Sequence, residues 1–265
     1  MPYLTVRDID IFFDRAGAGA PLLAISGSRG DLRRKPNLLE SPLTKSFDVL
    51  AYDQRGLGRT SKPNKAYSIA DYADDAAALL DAVGWERVRV VGVSFGGMVA
   101  LELVLGHPDR VSKLVLCCTS PGGEGGSSYP LHTLQNLPAD ERARVMVSIS
   151  DTRRDAGWAA GNPRKLEELI GNFTDDRFAE EPGHQSGISR LLEARRQHDT
   201  WERLAHIGCP VLTCGGGYDG IALPSSQERM VGRIPGATLC MFEGGHQFLW
   251  QDSSAFAEIV RFLAE

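Results

Sequence analysis

The sequence predicts an α/β protein: a mostly parallel central sheet flanked by helices, with a helical segment inserted before the last strands. Three observations carry this. Short runs rich in β-branched residues alternate with helix-like stretches up to about residue 119. Strand text returns only at Cys209, after a long helical interval. Between the two, Gly92-Val93-Ser94-Phe95-Gly96 joins a valine-rich run directly to an apolar helix. Strands that alternate with helices form a parallel sheet with right-handed crossovers. The expected organisation is 1–120 as the first part of the core, 121–205 as a helical lid, and 206–265 as the second part of the core.

Taken in order, Leu4-Thr5-Val6 and Ile9-Asp10-Ile11-Phe12-Phe13 alternate in polarity around a turn-prone Arg-Asp and read as an antiparallel edge hairpin. Gly17 to Pro21 breaks the chain. Leu22-Leu23-Ala24-Ile25 is a short buried strand running into Ser26-Gly27-Ser28-Arg29-Gly30-Asp31. Phe47 to Tyr52 is the next strand, followed by the polar, glycine-rich loop Asp53 to Ser61. Ile69 to Val83 is helical, with Tyr72, Ala76, Leu79, Leu80 and Val83 on one face and Asp71, Asp74 and Asp75 near its N-terminus. Val88 to Val93 is a buried parallel strand, and the helix after Ser94 runs without a proline until Pro108. Lys113 to Cys118 is another strand.

The text changes at Thr119. Ser120 to Pro130 has the composition of a flexible linker. Residues 131–204 read as amphipathic helices, with Arg142–Ile149, Pro163–Ile170 and Ile188–Trp201 as the candidates. An insertion there belongs over the carboxyl edge of the sheet. Its Trp158, Phe173, Phe178 and Leu191 suit either a small core of the insertion or a pocket wall. Cys209 to Cys214 resumes the sheet, entering Gly215-Gly216-Gly217-Tyr218-Asp219-Gly220. Ser225 to Arg233 is a helix, Ala237 to Phe242 the last strand, and Ala255 to Leu263 a closing helix.

Bulk properties exclude several function classes. The 265 residues are 42% hydrophobic and 24% charged, which suits one large domain with a sizeable core. A net charge of −5 leaves no electrostatic footprint for nucleic acid. No apolar run reaches the roughly 20 residues of a membrane span, and the N-terminus lacks the pattern of a secretory signal. Five cysteines, mostly inside apolar runs, point to reduced thiols in a cytoplasmic protein. In that setting Asn172-Phe173-Thr174 is an accidental sequon, and Arg29-Gly30-Asp31 a polar loop. No Cys/His cluster has metal-ligand spacing, and Gly215-Gly216-Gly217 lacks the Lys-Ser/Thr of a phosphate loop. The expected partner is a small molecule, with no cofactor, and no feature of the chain specifies an oligomeric state.

The chemistry centres on Ser94. A sharp strand-to-helix turn holds its hydroxyl at the carboxyl edge of the sheet, beside a helix N-terminus that tolerates a developing anion. A serine hydroxyl needs an imidazole to take its proton and an acid to orient that imidazole. Asp219 and His246 both follow strands and sit beside glycines, in the chain order Ser, Asp, His. Glu243 and Asp252 are weaker substitutes for the acid. Asp53 and Arg55 read as loop braces. His107 reads as a helix-end residue, His132 and His184 as surface or pocket-wall residues, and His198 and His206 as surface residues.

Four blocks in this order resemble the α/β-hydrolase fold family: Asp53 to Ser61, Gly92 to Gly97, Pro210 through Asp219 to Pro224, and Gly244-Gly245-His246. The resemblance spans essentially the whole chain, in the style of the enol-lactonase, epoxide-hydrolase-like and small esterase branches. A serine at the elbow argues against epoxide hydrolases and haloalkane dehalogenases, which use a carboxylate there. The resemblance implies a hydrolase of a carboxylic ester or lactone, with Ser94 as nucleophile, His246 as base and then acid, and Asp219 as the orienting carboxylate. It implies an oxyanion hole from the backbone N–H groups of Phe95 and Ser28. Related sequences also hydrolyse carbon–carbon bonds, form peracids or decarboxylate, and a ligand-binding receptor with slow turnover is the alternative of another class. The chain departs from the family in carrying Ser26-Gly27 where His-Gly is usual. It also places Gly215-Gly216-Gly217 before the acid, which suggests a mobile acid loop.

Overall fold

The computed structural model describes residues 3–265. Eight strands form one sheet: β1 Tyr3–Val6, β2 Ile9–Ala16, β3 Ala20–Ile25, β4 Phe47–Tyr52, β5 Val88–Val93, β6 Val111–Cys117, β7 Val211–Gly216 and β8 Thr238–Phe242. Their spatial order is β1-β2-β4-β3-β5-β6-β7-β8. The first hairpin and the β2–β4 pair are antiparallel, and every other pairing is parallel. The expected mostly parallel sheet is therefore present.

Side chains alternate across the sheet, so each strand feeds two cores. Leu23, Ile25, Leu50, Val88, Val90, Leu114 and Leu116 pack on one face. Leu22, Ala24, Val49, Ala51, Val91, Val115 and Leu212 pack on the other. The first face is covered by α1 Ile69–Ala82 and α2 Phe95–Gly106. Ser68 caps α1: its Oγ accepts the Asp71 N–H at 3.1 Å, and Asp71 Oδ2 accepts the Ser68 N–H at 2.9 Å.

Between β6 and β7 lie α3 Ala139–Ser150, α4 Ala156–Gly161, α5 Pro163–Thr174 and α6 His184–Arg196. Three helices were expected here; the short α4, capped by Asp155 Oδ1 on the Trp158 N–H at 2.8 Å, is additional. The third expected helix starts earlier, after left-handed Gly183, and ends at Arg196, with Trp201 opening a separate 3-10 turn. The chain closes with α7 Pro224–Arg233, α8 Phe248–Gln251 and α9 Ala255–Ala264. Phe256, Ile259 and Leu263 of α9 bury one face in the second core.

The glycine-rich stretch after β6 is not a free linker. Thr119, Ser120, Pro121 and Gly122 are buried. Gly122 bridges Asp199, the Pro121 carbonyl accepts the Thr200 N–H at 2.8 Å, and Arg229 Nε donates to the Gly125 carbonyl at 3.0 Å. Glycine permits close approach as readily as it permits motion, and here it does the former. No helix among the described residues is long and apolar enough to cross a membrane.

Candidate active site

Ser94 stands at the turn from β5 into α2 with φ 56° and ψ −116°, a region an L-residue enters only under constraint. The constraint is visible. Its N–H donates to the Cys117 carbonyl at 2.8 Å, and its carbonyl takes the Gly97 N–H at 2.9 Å. A Cβ on Gly92 would lie 2.8 Å from Ala100 Cβ, and one on Gly97 2.6 Å from Thr119 Cβ. A Cβ on Gly96 would collide with the Ile25 and Ser26 carbonyls. The glycines around Ser94 let the helix start against two strands.

The Ser94 Oγ lies 2.9 Å from His246 Nε2, and His246 Nδ1 lies 2.8 Å from Asp219 Oδ2. Asp219 is 1% exposed. Its other oxygen, Oδ1, accepts the N–H groups of Ile221 at 2.8 Å and Ala222 at 2.9 Å. A carboxylate accepts, so the Nδ1 facing it carries the proton and Nε2 is left to accept from the Ser94 hydroxyl. That arrangement can remove a proton from an alcohol and return it.

The histidine loop is held by the inserted helices. The Ser150 carbonyl, at the end of α3, accepts the His246 N–H at 2.7 Å. The Ile149 carbonyl accepts the Gly220 N–H at 2.9 Å, beside Asp219. Acid and histidine loops also bond to each other, with Tyr218 N–H to the Gly244 carbonyl at 2.9 Å. A Cβ on Gly216 would collide with the Gly244 and Gly245 carbonyls. Gly215 and Gly216 therefore provide close approach where slack was expected, while a Cβ on Gly217 would sit at an ordinary 3.8 Å from the Phe242 carbonyl. Glu243 and Asp252, the alternative acids, are engaged elsewhere: Glu243 with Arg153, and Asp252 with the backbone N–H groups of Glu243 and Ser254.

The loop after β3 faces the same place. A Cβ on Gly27 would meet Ser94 Cβ at 3.4 Å. Ser28 lines a cavity of about 330 Å³ together with Ser94 and His246. Phe95 is the first residue of α2, where backbone N–H groups have no partner within the helix. In place of the usual histidine support, the Ser26 carbonyl accepts Gln54 Nε2 at 2.7 Å, and a turn closes from Gly30 N–H to the Gly27 carbonyl at 2.8 Å. Leu131, Met146 and Phe173 of the insertion form part of the cavity wall, so Phe173 is a pocket residue, whereas Leu191 belongs to the main core. Phe178 instead lies under the Arg33 guanidinium, 3.5 Å from its ring centroid.

Arg29 also lines the cavity, a role its place in a polar loop did not signal. Among the described residues its guanidinium donates only to the Asn172 and Asp175 carbonyls, at 3.4 and 3.2 Å, and it lies over the Phe173 ring. Arg29 is exposed to solvent, so its guanidinium keeps its charge. Asp53 and Arg55 do brace loops. Asp53 accepts the N–H groups of Leu32 at 2.7 Å and Arg59 at 2.9 Å, and Arg55 pairs with Asp75 at 2.7 Å and Asp8 at 2.8 Å.

Folding brings Cys118 within 4.8 Å of the Asp219 and His246 ligand atoms, a trio that sequence spacing did not anticipate. Burial and then the Asp219 charge push the Cys118 thiol well up, so it stays protonated and offers no thiolate to a metal. The histidine at 246 is already committed to Asp219. Of the other histidines, His107 caps the end of α2 and meets Asp74 at 2.9 Å, and His206 is exposed. His184 is buried against Asp176 at 2.9 Å. His198, expected at the surface, is buried, and burial pushes its pKa down to about 4.

Comparison with known proteins agrees with this architecture. A family model described as alpha/beta hydrolase fold matches residues 23–253. A Caulobacter sp. (strain K31) protein provisionally named carbamate hydrolase RutD is 32% identical over 84% of this chain and 82% of its own. A hydrolase from Pseudomonas aeruginosa PA01 superposes with a TM-score of 0.77 at 28% identity, over 99% of this chain and 98% of the other. The enol-lactonase from Burkholderia xenovorans LB400 shares the fold with a TM-score of 0.81 at 22% identity, over all of both chains.

Proposed function

The chain belongs to the alpha/beta hydrolase fold family, and from that premise we propose that it is a serine hydrolase cleaving a carboxylic ester or lactone of a small organic molecule. The observation that carries the proposal is the hydrogen-bonded line from Ser94 Oγ through His246 to Asp219, 2.9 and 2.8 Å per link. Ser94 Oγ attacks the carbonyl carbon while its proton passes to His246 Nε2. The Phe95 and Ser28 N–H groups receive the developing oxyanion. His246 gives its proton to the departing alkoxide, leaving an acyl-enzyme. Water then loses a proton to the same nitrogen and attacks the acyl carbon. Ser94 Oγ leaves and takes that proton back, releasing the acid. Asp219 keeps the imidazole in the correct tautomer throughout. The reaction so written uses no cofactor.

The inserted helices act in this reading as a lid that excludes water and shapes the pocket. The five free thiols, four of them buried, suit a reducing cytoplasm. Because several relatives carry a carbamate hydrolase name, carbamates belong beside esters and lactones in a substrate panel. The test is covalent: a serine-directed phosphonate labels the wild type once, and Ser94→Ala loses both labelling and turnover. Full labelling of Ser94→Ala would refute the assignment.

A further inference from the structure

The loop that carries His246 is built around the side chain of Gln251, the last residue of α8. Gln251 Oε1 accepts the N–H of Gly245, the residue before the histidine, at 2.8 Å. Gln251 Nε2 donates to Asp151 Oδ2 at 3.2 Å. One amide thus joins the histidine loop to the inserted helices.

Its two neighbours fix how that amide is turned. Asp151 is the C-cap of α3 and is 2% exposed. Burial opposes its charge, but hydrogen bonds from Arg153 outweigh that and hold its carboxyl below the usual carboxylate range. It is therefore ionised at neutral pH and can only accept. The Gly245 N–H can only donate. A flipped amide would set Nε2 against an N–H and Oε1 against a carboxylate. The fit is equally restrictive. Gly244 has φ 133°, and a Cβ there would lie 2.6 Å from Gln251 Oε1 and 3.1 Å from Gln251 Cβ. The glycines before His246 admit this side chain because they carry none of their own.

The helix at the other end of the link also faces the pocket. Met146, one turn before Ser150 on α3, lines the Ser94 cavity. The Ile149 and Ser150 carbonyls hold the Asp219 and His246 loops. Pocket wall and imidazole thus rest on one helix. We propose that Gln251 is a positioning residue, clamping the His246 loop to the end of α3 so that the imidazole keeps its place relative to the pocket wall. The inference rests on the roles proposed for Ser94 and His246. Loss of such a clamp misplaces a reacting group without removing a substrate contact, so it falls on kcat and spares KM.

The test is Gln251→Leu in the full chain, which keeps the bulk and removes both hydrogen bonds. With p-nitrophenyl acetate as the ester, kcat should fall roughly tenfold with KM within about twofold of wild type. Amide hydrogen exchange in the peptide spanning Glu243 to Gln251, read by mass spectrometry, should quicken by roughly tenfold while the melting temperature holds. A swap of polarity supplies the rescue. Gln251→Glu alone sets two carboxylates together and should cost roughly tenfold or more in kcat. Adding Asp151→Asn should return kcat to within about threefold of wild type, because the new amide donates to the new carboxylate. Its Oδ1 can keep the bonds from Arg153 N–H and Nε. A Gln251→Leu protein with wild-type kcat and wild-type exchange overturns the proposal, and so does a swap no more active than Gln251→Glu alone. A wild type that neither turns over the ester nor takes the phosphonate at Ser94 refutes the reading of Ser94 instead, and the exchange measurement still decides the clamp.

Discussion

The backbone carbonyl of Ser150 holds the backbone N–H of His246 at 2.7 Å. One residue from the C-terminus of the inserted helix α3 thus positions the imidazole from behind. A Cβ at Gly245 would collide with that carbonyl oxygen and lie 2.8 Å from Asp151 Cα. Gly245→Ala should therefore displace the histidine loop. Turnover should fall about 10²-fold with little change in KM, because a shift of about 1 Å at a catalytic group has that effect. Steady-state kinetics on a protein shown to be folded by its thermal melt checks this.

Asp219→Asn separates charge from shape. The side chain can still accept from Ile221 and Ala222, but an amide N–H facing His246 Nδ1 favours the tautomer with Nε2 protonated. That nitrogen then cannot accept from Ser94. A loss of about 10³–10⁴ in kcat is expected with a nearly unchanged melting temperature. A loss smaller than tenfold would remove Asp219 from the mechanism.

Arg29 is a cation in the wall of the Ser94 cavity with carbonyls and, among the described residues, no carboxylate on its guanidinium. Substrates that carry a carboxylate away from the scissile bond should profit from it. Arg29→Gln should lower kcat/KM for such an ester by roughly tenfold and leave a neutral ester of equal size within about twofold. Equal losses on both substrates would mean that Arg29 merely shapes the loop.

His198 is neutral in the fold because burial, helped by the Arg203 charge, pushes its pKa down to about 4 against Glu102, the Ser120 carbonyl and Asp199, which favour the charged ring. Unfolding returns it to an ordinary imidazole near pH 6.5. Between these values the unfolded chain binds more protons, so stability rises with pH and falls as acid is added. The loss attributable to this group is roughly 3 kcal/mol between about pH 6.5 and 4. His198→Asn should flatten that part of the stability profile, measured by denaturant unfolding in phosphate-free buffer. A difference between variant and wild type that does not change with pH would contradict it.

What could be read from the chain before folding was whatever depends on local pattern. The valine-rich strand, the glycines of the hinge and the apolar helix announce Ser94 together. Asp219 and His246 were legible because each follows a strand, and strand ends share one edge. The glycines of 122–126 and 215–217 misled, because composition reports what a backbone permits and not what packs against it. Asp199 and Gly244, which meet those glycines, lie elsewhere in the chain. His198 was assigned to the surface because its helix end has no apolar stripe strong enough to reveal which side faces inward. Ser150 acts through its carbonyl, a group every residue carries, so no side-chain pattern could single it out.

Ser94 occupies a backbone conformation that glycine would adopt freely. Strain of this kind is worth on the order of 1–3 kcal/mol, more than the roughly 0.5–1 kcal/mol of chain freedom that glycine adds to the unfolded state. Left to folding alone, the position would drift to glycine. Under the proposed function, the hydroxyl sits there against the preference of its own main chain, and reactivity is what offsets that loss of robustness.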